Sequence, residues 1–467
     1  MISHVVIPIS QFFGQSDLMT ENSSRWISNN LSLTGLQSER SPFMVFKELF
    51  ENALDAVRGQ DVSQIDIRVE SLHDCLEFTC SDNGTGFDSQ SVSAIHRIFE
   101  SHRNGDIHGI SSGKFGVGLK AIALLCSKEC SGRELSIGTV VGAESDSPYQ
   151  VSFRIGADAC GEISIRQPEI TTLDSPLTVM QTVVTAYAPW GTNSIESISA
   201  QIQSYLESLS RLPRPVTITV EVCGESLPIK PSPSISEIQV FDPSGILQCF
   251  VAINRHTTPD HPTISILRYV NGAPLITPGS SITNCVLLSG TLSAVSKICP
   301  SLGIELTINP QIESIVSWTL PIAAVPQDSS WHNLTIGIAL SCASSDVQYP
   351  SLCKCAVGGV GTSSSVEKLV SRCVTSGLKK IQKRIPSQFQ SPEDHEYKKA
   401  VTQYIPIIAC NLSQVIRRSS PLADPITELA QLLQISTGGS DDYETMIIEN
   451  LSDALGPPRK RATRSKQ

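Results

Sequence analysis

The chain has 467 residues, 40% of them hydrophobic, which is enough for about two or three domains with well-filled cores. The formal net charge is −10, so the composition argues against a protein that binds nucleic acid through a global positive field. No apolar run reaches membrane-spanning length, no N-terminal signal peptide is visible, and the 14 cysteines match no zinc-binding spacing, so we expect a soluble intracellular protein.

The first predicted elements are a helix followed by a β-hairpin. Residues 1–40 are Ser/Asn-rich and weakly patterned, and we expect this segment to be flexible. From 43 to 58 the apolar positions recur at helical spacing. The stretches 65–69 and 76–80 alternate strictly between apolar and polar residues, which predicts two strands joined by a turn around 71–74.

The predicted helix carries the first of three motifs. Glu48 and Asn52 are four residues apart and therefore share one face of the helix. In that geometry an amide oxygen can hold a hard cation while the neighbouring carboxylate orients a water. Such a pair is more often an ordinary pair of exposed polar residues, and it gains meaning only from the two motifs that follow.

Two glycine-rich turns follow in order. Asp82-Asn-Gly-Thr-Gly86 comes directly after a predicted strand and brings a carboxylate to where it can accept a hydrogen bond from an exocyclic amine. Gly113-Lys-Phe-Gly-Val-Gly-Leu-Lys120 leads into a predicted helix at 118–127 and offers backbone N–H groups to phosphates. A single Asp-Asn-Gly is most often just a turn, but the order of the three motifs favours a nucleotide site.

The remaining elements of the first domain are mostly strands. We predict strands at 134–141, 149–155, 162–167, 182–188 and 216–222, with one helix at 195–209. A run of strands with helices set unevenly between them indicates an α+β fold rather than a doubly wound sheet.

A second domain follows a Pro/Ser-rich linker. Its predicted elements are strands at 237–241, 248–254, 265–270 and 334–340 and helices at 364–385 and 393–417. We therefore place a first domain at 41–226, a linker at 227–236, a second domain at 237–420 and a C-terminal tail at 421–467. The basic end of the tail is open to three interpretations: a solvated segment, a nuclear-import signal, or a weak contact to a phosphate backbone.

The three motifs resemble those of the GHKL (Bergerat) ATP-binding sandwich, which is shared by gyrase, Hsp90, histidine kinases and mismatch-repair MutL proteins. Within that group the motif sequences are most similar to those of the B subunit of topoisomerase VI. This holds both for Glu51-Asn-Ala-Leu-Asp-Ala56 and for Gly113-Lys-Phe-Gly-Val-Gly-Leu-Lys-Ala121. Arg268-Tyr-Val-Asn-Gly-Ala-Pro-Leu-Ile276 resembles the opening of that family's transducer, an αβ domain that relays nucleotide state to the DNA-cleaving A subunit. The resemblance covers residues 40–420 and is strongest in the first domain.

The resemblance implies ATP and Mg²⁺ as cofactors and a role for individual residues. Glu48 would polarise the attacking water, Asn52 would coordinate Mg²⁺, Asp55 would support them, and Asp82 would recognise the adenine amine. Gly84 and Gly86 would let the base approach. The phosphate loop would consist of Gly113, Lys114, Phe115, Gly116, Val117, Gly118 and Lys120.

Two further positions are implied by the resemblance. In this family a Thr usually precedes a strand near the adenine; Thr182 fits because a strand follows it directly, whereas Thr192 comes after that strand. In this family a transducer Lys also contacts the terminal phosphate. The loop at 347–357 resembles the loop that carries it, which makes Lys354 the candidate for this role. In this loop a Cys replaces an expected Gly, and Asp346 stands where a polar or basic residue is expected. The resemblance therefore supports ATP binding more strongly than hydrolysis.

A helical DNA-binding insertion that topoisomerase VI B subunits carry between their two domains has no counterpart in the linker 227–236. In lacking this insertion the chain resembles the meiotic topoisomerase VI B-like proteins, especially those of plants. Those proteins pair with A-like cleavage proteins to make the double-strand breaks that start homologous recombination. The resemblance implies a nuclear homodimer within a heterotetramer, with DNA contacted mainly through the partner. Two alternatives stay open: an active topoisomerase VI B subunit that hydrolyses ATP, and a scaffold with a relic nucleotide site.

Overall fold

The computed structural model describes residues 26–36, 39–87, 92, 95, 116–141, 149–172, 180–211, 216–229, 234–254, 263–277, 285–299, 305–306, 311–312, 314–324, 333–343, 346–349, 354, 356–360, 366–384 and 411. The chain forms two compact units. One comprises Met1–Ile298, Leu306–Ala323 and His332–Ile381, and the other comprises Cys299–Glu305, Ala324–Trp331 and Gln382–Gln467. The candidate site lies in the first unit.

Helix α1, Ser41–Ala56, is the hydrophobic centre of the first domain. Phe43, Phe46 and Phe50 recur at helical spacing and are buried. The rings of Phe46 and Phe50 stack with centroids 5.8 Å apart, and Tyr205 meets each of them edge-on at 6.0 Å. The helix predicted at 43–58 is confirmed, and it begins two residues earlier with a proline in its first turn.

Part of the segment 1–40 packs against this layer. Ile27, Leu31 and Leu36 are buried in the same hydrophobic core, and Leu31–Thr34 form a short 3₁₀ helix. The described part of the segment is therefore packed, in contrast to the flexibility expected from its composition. The physical reason is that these apolar side chains, although few, fall where the core can cover them.

The first sheet has eight strands in the order β5-β4-β3-β6-β2-β1-β7-β8. Their bounds are β1 Ser63–Ser71, β2 Cys75–Asp82, β3 Leu135–Val141, β4 Tyr149–Ala157, β5 Ile163–Thr172, β6 Thr182–Pro189, β7 Val216–Val222 and β8 Glu225–Ser226. Strands β1 and β7 are parallel, and the other neighbours are antiparallel. The predicted β1–β2 hairpin is confirmed.

Helices α1 and α2 (Gly118–Glu129) pack on this sheet, and α3 (Ile195–Leu209) packs beside α1. Burial alternates along β6, so one side of the strand faces the helices and the other side is more open. The Ser194 hydroxyl caps α3 by accepting from the Ser197 N–H at 3.2 Å. The predicted α+β class is confirmed.

The second sheet follows the order β13-β15-β11-β16-β10-β9, with β12 on β11 and β14 on β15. Its strands are β9 Ser234–Phe241, β10 Leu247–Asn254, β11 Thr263–Val270, β12 Ala273–Pro274, β13 Glu305–Leu306, β14 Gln311–Ile312, β15 Ser317–Ala324 and β16 Asn333–Leu340. Strands β17 (Val347–Gln348) and β18 (Gly359–Val360) form a separate pair. Strands β11 and β12 are joined by a tight turn: Asn271 and Gly272 both have positive φ, as a two-residue hairpin requires.

Two helices pack on and beside this sheet: α4 (Val286–Ile298) and α5 (Val366–Arg384). A Cβ on Gly290 of α4 would lie 2.7 Å from the Glu367 carbonyl oxygen, and one on Gly377 of α5 would lie 2.7 Å from a Val251 methyl. Both glycines therefore let backbones approach closely. Within the described ranges, no helix combines the length and apolar character needed to cross a bilayer.

The sequence did not predict α4 or β15. The strands and helices predicted elsewhere in the described residues are found within a few residues of their expected ends. The helix predicted at 393–417 lies outside the described residues, apart from position 411. The domain boundaries at 41–226, 227–236, 237–420 and 421–467 stay predictions.

Candidate functional site

The first contact of the site joins α1 to the start of α2. The Glu48 side chain is 14% exposed, and its Oε2 lies so close to Gly118 that any Cβ at that position would overlap it. Gly118 is the first residue of α2, where backbone N–H groups lack helical partners. The carboxylate predicted to orient a water therefore lies beside the helix start predicted to bind phosphate.

Three buried polar side chains form a row across adjacent strands. Asp82 on β2 is directly opposite Thr182 on β6, and Thr182 is directly opposite Thr139 on β3. Residues directly opposite each other in antiparallel strands point to the same face. The Thr139 and Thr182 hydroxyl oxygens are 3.2 Å apart, and Asp82 and Thr182 are each 4% exposed. Thr182 thus lies beside Asp82, whereas Thr192 lies in an exposed turn.

Thr139 is a residue that sequence reasoning missed. Its hydroxyl is fully buried and accepts a hydrogen bond from the Phe87 N–H at 3.2 Å, just after the first glycine turn. No motif surrounds it in the sequence. The only signal that finds it is its strand register with Thr182.

Asp82 is an acceptor in an apolar surrounding. Burial raises the pKa of its carboxyl to about 7, and the Gly84 N–H, which donates to Asp82 Oδ1 at 2.9 Å, opposes this shift. A second donor would stabilise the ionised form further. The position is therefore suited to an exocyclic amine, as the sequence predicts.

The glycine turn after Asp82 is held between α1 and β3. A Cβ on Gly84 would lie 2.7 Å from the backbone carbon and oxygen of Ala56, the last residue of α1. Gly86 has φ +70 and approaches the Val140 carbonyl oxygen so closely that a side chain would collide. Gly84 therefore lets the turn approach the end of α1, and Gly86 lets it approach β3.

Asn52 and Asp55 follow Glu48 along α1. Asn52 is half-buried one turn after Glu48, as expected for a shared face. The Asp55 side chain is almost completely buried, and its Oδ1 is 3.1 Å from Arg58 Nη2. The same nitrogen of Arg58 donates to the Asn271 carbonyl at 2.9 Å, which links the site helix to the turn of the second sheet.

A buried ion network behind Glu48 was also missed by sequence reasoning. Lys47 is only 2% exposed, and its Nζ lies 3.6 Å from Glu48 Oε1 and 2.9 Å from Glu51 Oε2. The Tyr205 hydroxyl donates to Glu51 Oε1 at 2.8 Å. A lysine beside a site carboxylate is visible in the sequence, but its burial depends on α3 supplying Tyr205.

The phosphate loop is described from Gly116 onward. Gly116 has φ +58, Val117 is buried, and the Lys120 side chain is largely buried on the first turn of α2. Gly113, Lys114 and Phe115 lie outside the described residues. The structure therefore brings Gly118 to Glu48 and does not test the first half of the loop.

Lys354 follows strand β17 in the sequence. Its backbone has φ +51, which is uncommon for a residue other than glycine. In the same segment, burial and then the charge of Glu51, with a contribution from Asp55, raise the pKa of Tyr349. Tyr349, directly after β17, therefore lies near the site helix. The predicted contact of Lys354 with a terminal phosphate stays a prediction.

Comparison with known proteins agrees with this geometry. Residues 37–156 match the family model described as histidine kinase-, DNA gyrase B-, and HSP90-like ATPase. This segment includes the Glu48 helix, both glycine turns and Thr139. It is therefore a GHKL-type ATP-binding domain.

Solved structures give a distant likeness over a larger part of the chain. One is the ATPase region of Saccharomyces cerevisiae topoisomerase II, with 13% identity and a TM-score of 0.41 over 73% of this chain and 85% of that one. Another is the B-subunit of DNA gyrase from Myxococcus xanthus, with 12% identity and a TM-score of 0.43 over 76% of this chain and 95% of that one. No curated protein matches the sequence.

The residues present fit a nucleotide with its metal. Gly84 lets the turn after Asp82 approach the end of α1, and Gly118 lets the start of α2 approach the Glu48 carboxylate. Asp82 offers a buried acceptor, and Asn52 offers an amide oxygen on the same helix face as Glu48. Amide oxygens and carboxylates are the ligands that Mg²⁺ accepts.

Proposed function

We propose that the chain binds ATP and Mg²⁺ at this site and uses the bound nucleotide to control assembly with a partner. Asp82 and Thr182 bind the adenine, Asn52 holds the cation, and the backbone from Gly113 to Lys120 binds the phosphates. When bound, ATP supplies the phosphoanhydride bond and Mg²⁺ neutralises phosphate charge. Glu48 orients a water toward the helix start, and Lys354 carries a positive charge toward the terminal phosphate.

One observation carries the proposal: Glu48 lies against Gly118, and Asp82 and Thr182 lie opposite each other on the paired strands β2 and β6. The three motifs are separated in the sequence, and no simple packing requirement brings a carboxylate, a buried acceptor and a glycine helix start together. A nucleotide with an adenine at one end and phosphates at the other accounts for all of them.

We propose further that the chain is a topoisomerase VI B-like subunit of the meiotic type. It would act in the nucleus as a homodimer within a heterotetramer, with topoisomerase VI A-like cleavage proteins that form the double-strand breaks of homologous recombination. Support comes from the sequence of 268–276, which forms β11, a two-residue turn and β12. Further support is the short connection of residues 227–233 between β8 and β9, which leaves no room for a helical DNA-binding insertion.

Co-purification tests the assembly. The full-length chain is expressed in reproductive tissue and captured with and without a non-hydrolysable ATP analogue. We expect an A-like protein to be captured, more strongly with the analogue, and to be lost when residues 364–417 are deleted. Removal of the tail 440–467 serves as the control. Capture that is unaffected by deleting 364–417 would contradict docking through the terminal helices.

A second candidate function is steady ATP hydrolysis, as in an active topoisomerase VI B subunit. It is favoured by the position of Glu48 beside the helix start. It predicts turnover in the presence of partner and DNA, and loss of that turnover in Glu48→Ala. Absence of turnover with ATP binding intact would leave the nucleotide as a switch for assembly.

A further inference from the structure

Helices α4 and α5 enclose an open groove far along the chain from the nucleotide motifs. Its volume is about 440 Å³, and it is lined by Lys297 from the end of α4 and by Ser371, Arg372, Thr375, Ser376 and Lys379 from α5. All six polar side chains carry hydrogen-bond donors, and three of them are cations. Among the residues that the structure describes, no carboxylate lines the groove.

The charge of this groove is opposite to that of the whole chain, which is −10. Helix α5 carries Lys368, Arg372, Lys379, Lys380, Lys383 and Arg384 against a single acidic residue, Glu367. Within the part of the chain that the structure describes, Lys297, Arg372 and Lys379 are exposed and take part in no ion pair. Asp242, directly after β9, is near α5: after burial, its charge is the next cause that raises the pKa of the Cys373 thiol.

The apolar side of α5 explains why the basic side faces outward. Val370, Val374, Leu378 and Ile381 are buried, and Gly377 rests against Val251 of β10. The helix is therefore fixed on the sheet, and its basic residues are held in a defined row. If the basic residues of α5 served only solubility, the groove would need neither three hydroxyl donors near the cations nor Lys297 from α4.

We propose that this groove binds the phosphodiester backbone of a nucleic acid. Arginine, lysine, serine and threonine side chains are the usual donors to phosphate oxygens, and an arginine can donate two parallel hydrogen bonds. Arg372 and Lys379 are seven residues apart on one helix, which is about 10 Å along its axis. A duplex carries one phosphate per about 1.7 Å of its axis, so cations spread over about 10 Å can reach several phosphates at once.

The proposal goes beyond assembly with a cleavage partner, because it gives this chain a direct contact to nucleic acid that is independent of ATP. It also specifies the kind of contact. Backbone contacts position a protein without reading sequence, so binding should be indifferent to base sequence and strongly dependent on salt.

The test compares three forms of the full-length chain without nucleotide. They are wild type, the groove variant Lys297→Gln/Arg372→Gln/Lys379→Gln, and a control variant Arg68→Gln/Lys128→Gln/Arg154→Gln. The control removes the same charge from exposed positions elsewhere in the chain, and every form keeps the basic tail. Binding to labelled duplex DNA and to duplex RNA of equal length is measured by fluorescence anisotropy between 50 and 200 mM salt, with polyglutamate as competitor.

We expect wild type and control to bind either duplex, and the groove variant to bind on the order of 10-fold more weakly. The slope of log K against log salt should become shallower by about 2.7 in the groove variant, or about 0.9 for each lost contact. Thermal melting should be nearly unchanged in both variants, because all substituted side chains are exposed. The contacts that the control loses, Arg68 with Glu221 and Lys128 with the Ser28 carbonyl, are surface contacts of small energy. The proposal is overturned if wild type binds neither duplex, if both variants lose affinity equally, or if polyglutamate displaces the duplex as effectively per charge as unlabelled DNA.

Discussion

At the residue scale, the burial of Asp82 lowers the stability of the ligand-free protein. Its carboxyl is buried, and its pKa is raised from 3.8 to about 7. Ionising it in the folded protein at pH 8 costs on the order of 4 kcal/mol relative to the unfolded chain. A purely structural acceptor would avoid this cost with a neutral side chain, so the carboxylate is best explained by a donor that the ligand provides.

The pH dependence of stability follows from that shift. Between pH 4 and 7 the folded state holds a proton on Asp82 that the unfolded state has lost, so this group's contribution to the free energy of unfolding falls as pH rises. Asp82→Asn removes the contribution. We predict that the variant is more stable than wild type, by a margin that grows from pH 4 to 7 and is then constant, measured by urea denaturation.

The control for this prediction is Asp74→Asn. Hydrogen bonds from Ser131 and Arg133 lower the pKa of exposed Asp74, so this carboxylate stabilises the fold above the unfolded pKa and the benefit is lost as pH falls. The control should therefore be less stable than wild type at neutral pH. A margin for Asp82→Asn that does not change with pH would rule out the buried, proton-holding carboxyl.

Lys47 supports Glu48 from inside the core. Removing one partner of a buried ion pair leaves an uncompensated charge and costs about 3–5 kcal/mol. We predict a loss of this size for Lys47→Met, measured by urea denaturation, because the carboxylates of Glu48 and Glu51 lose their cation. Tyr205→Phe should cost about 1–3 kcal/mol, since it removes a single hydrogen bond to Glu51.

The Lys47 prediction has a clear internal check. The double variant Lys47→Met/Tyr205→Phe should be less stable than wild type by an amount that differs from the sum of the single effects, because both residues contact Glu51. Additive single effects, or an unchanged stability in Lys47→Met, would show that the two residues do not act on Glu51 together.

Gly84 places Asp82 against the end of α1. A methyl group at this position would lie 2.7 Å from the Ala56 backbone, which cannot rotate away. We predict that Gly84→Ala costs about 1–3 kcal/mol of stability and weakens binding of a labelled ATP analogue. Gly138→Ala is the control, because its added methyl meets only side-chain atoms 3.7 and 3.8 Å away. Equal behaviour of the two variants would contradict the role of the close approach.

At the element scale, α1 connects the site to the second sheet. Its end carries Asp55 and leads to Arg58, which donates to the Asn271 carbonyl at 2.9 Å. The Asn271 side chain in turn accepts from the Cys342 N–H at 3.0 Å, at the start of the segment that leads to Lys354. A displacement of α1 by a ligand would therefore be transmitted to this segment through a continuous set of hydrogen bonds.

This link predicts the effect of Arg58→Met. Without the guanidinium, the Asn271 turn loses its hold on α1, and amide hydrogen exchange should become faster in 341–349, most clearly at Cys342. Exchange is measured on the full-length, ligand-free chain by mass spectrometry. Arg68→Met, an exposed change on β1, should leave exchange in 341–349 as in wild type; unchanged exchange in Arg58→Met would show that Arg58 does not hold the turn.

Elements with a strong pattern could be predicted from the sequence, and those without one could not. Strict alternation identified β1 and β2, and helical spacing identified α1. Helix α4 was missed because Gly290 and several serines interrupt its apolar residues, and its backbone approach to α5 depends on the folded chain. Similarly, Glu48 and Asp82 were visible as motifs, whereas Thr139 and the burial of Lys47 depend on strand register and on α3.

At the scale of the whole molecule, the two sheets belong to one compact unit, apart from Glu305 at the start of β13 and Ala324 at the end of β15. The Tyr269 hydroxyl of the second sheet donates to the Ser208 carbonyl of α3 at 2.8 Å, and Arg40 donates to the Thr277 carbonyl at 3.2 Å. Together with Arg58 these contacts hold the second sheet against the helices that carry the site. A displacement of α1 by a bound nucleotide would therefore also act on the second sheet, as the proposed switch for assembly requires.

Equilibrium binding of a labelled ATP analogue with Mg²⁺ at pH 8, to the full-length chain, tests the central claim most directly. Wild type and Asp74→Asn should show the same saturable binding. Asp82→Asn should bind roughly 10- to 150-fold more weakly, because a hydrogen bond to a charged group contributes about 1.5–3 kcal/mol. Equal and negligible binding by wild type and Asp82→Asn would mean that the site is a relic and would contradict the account.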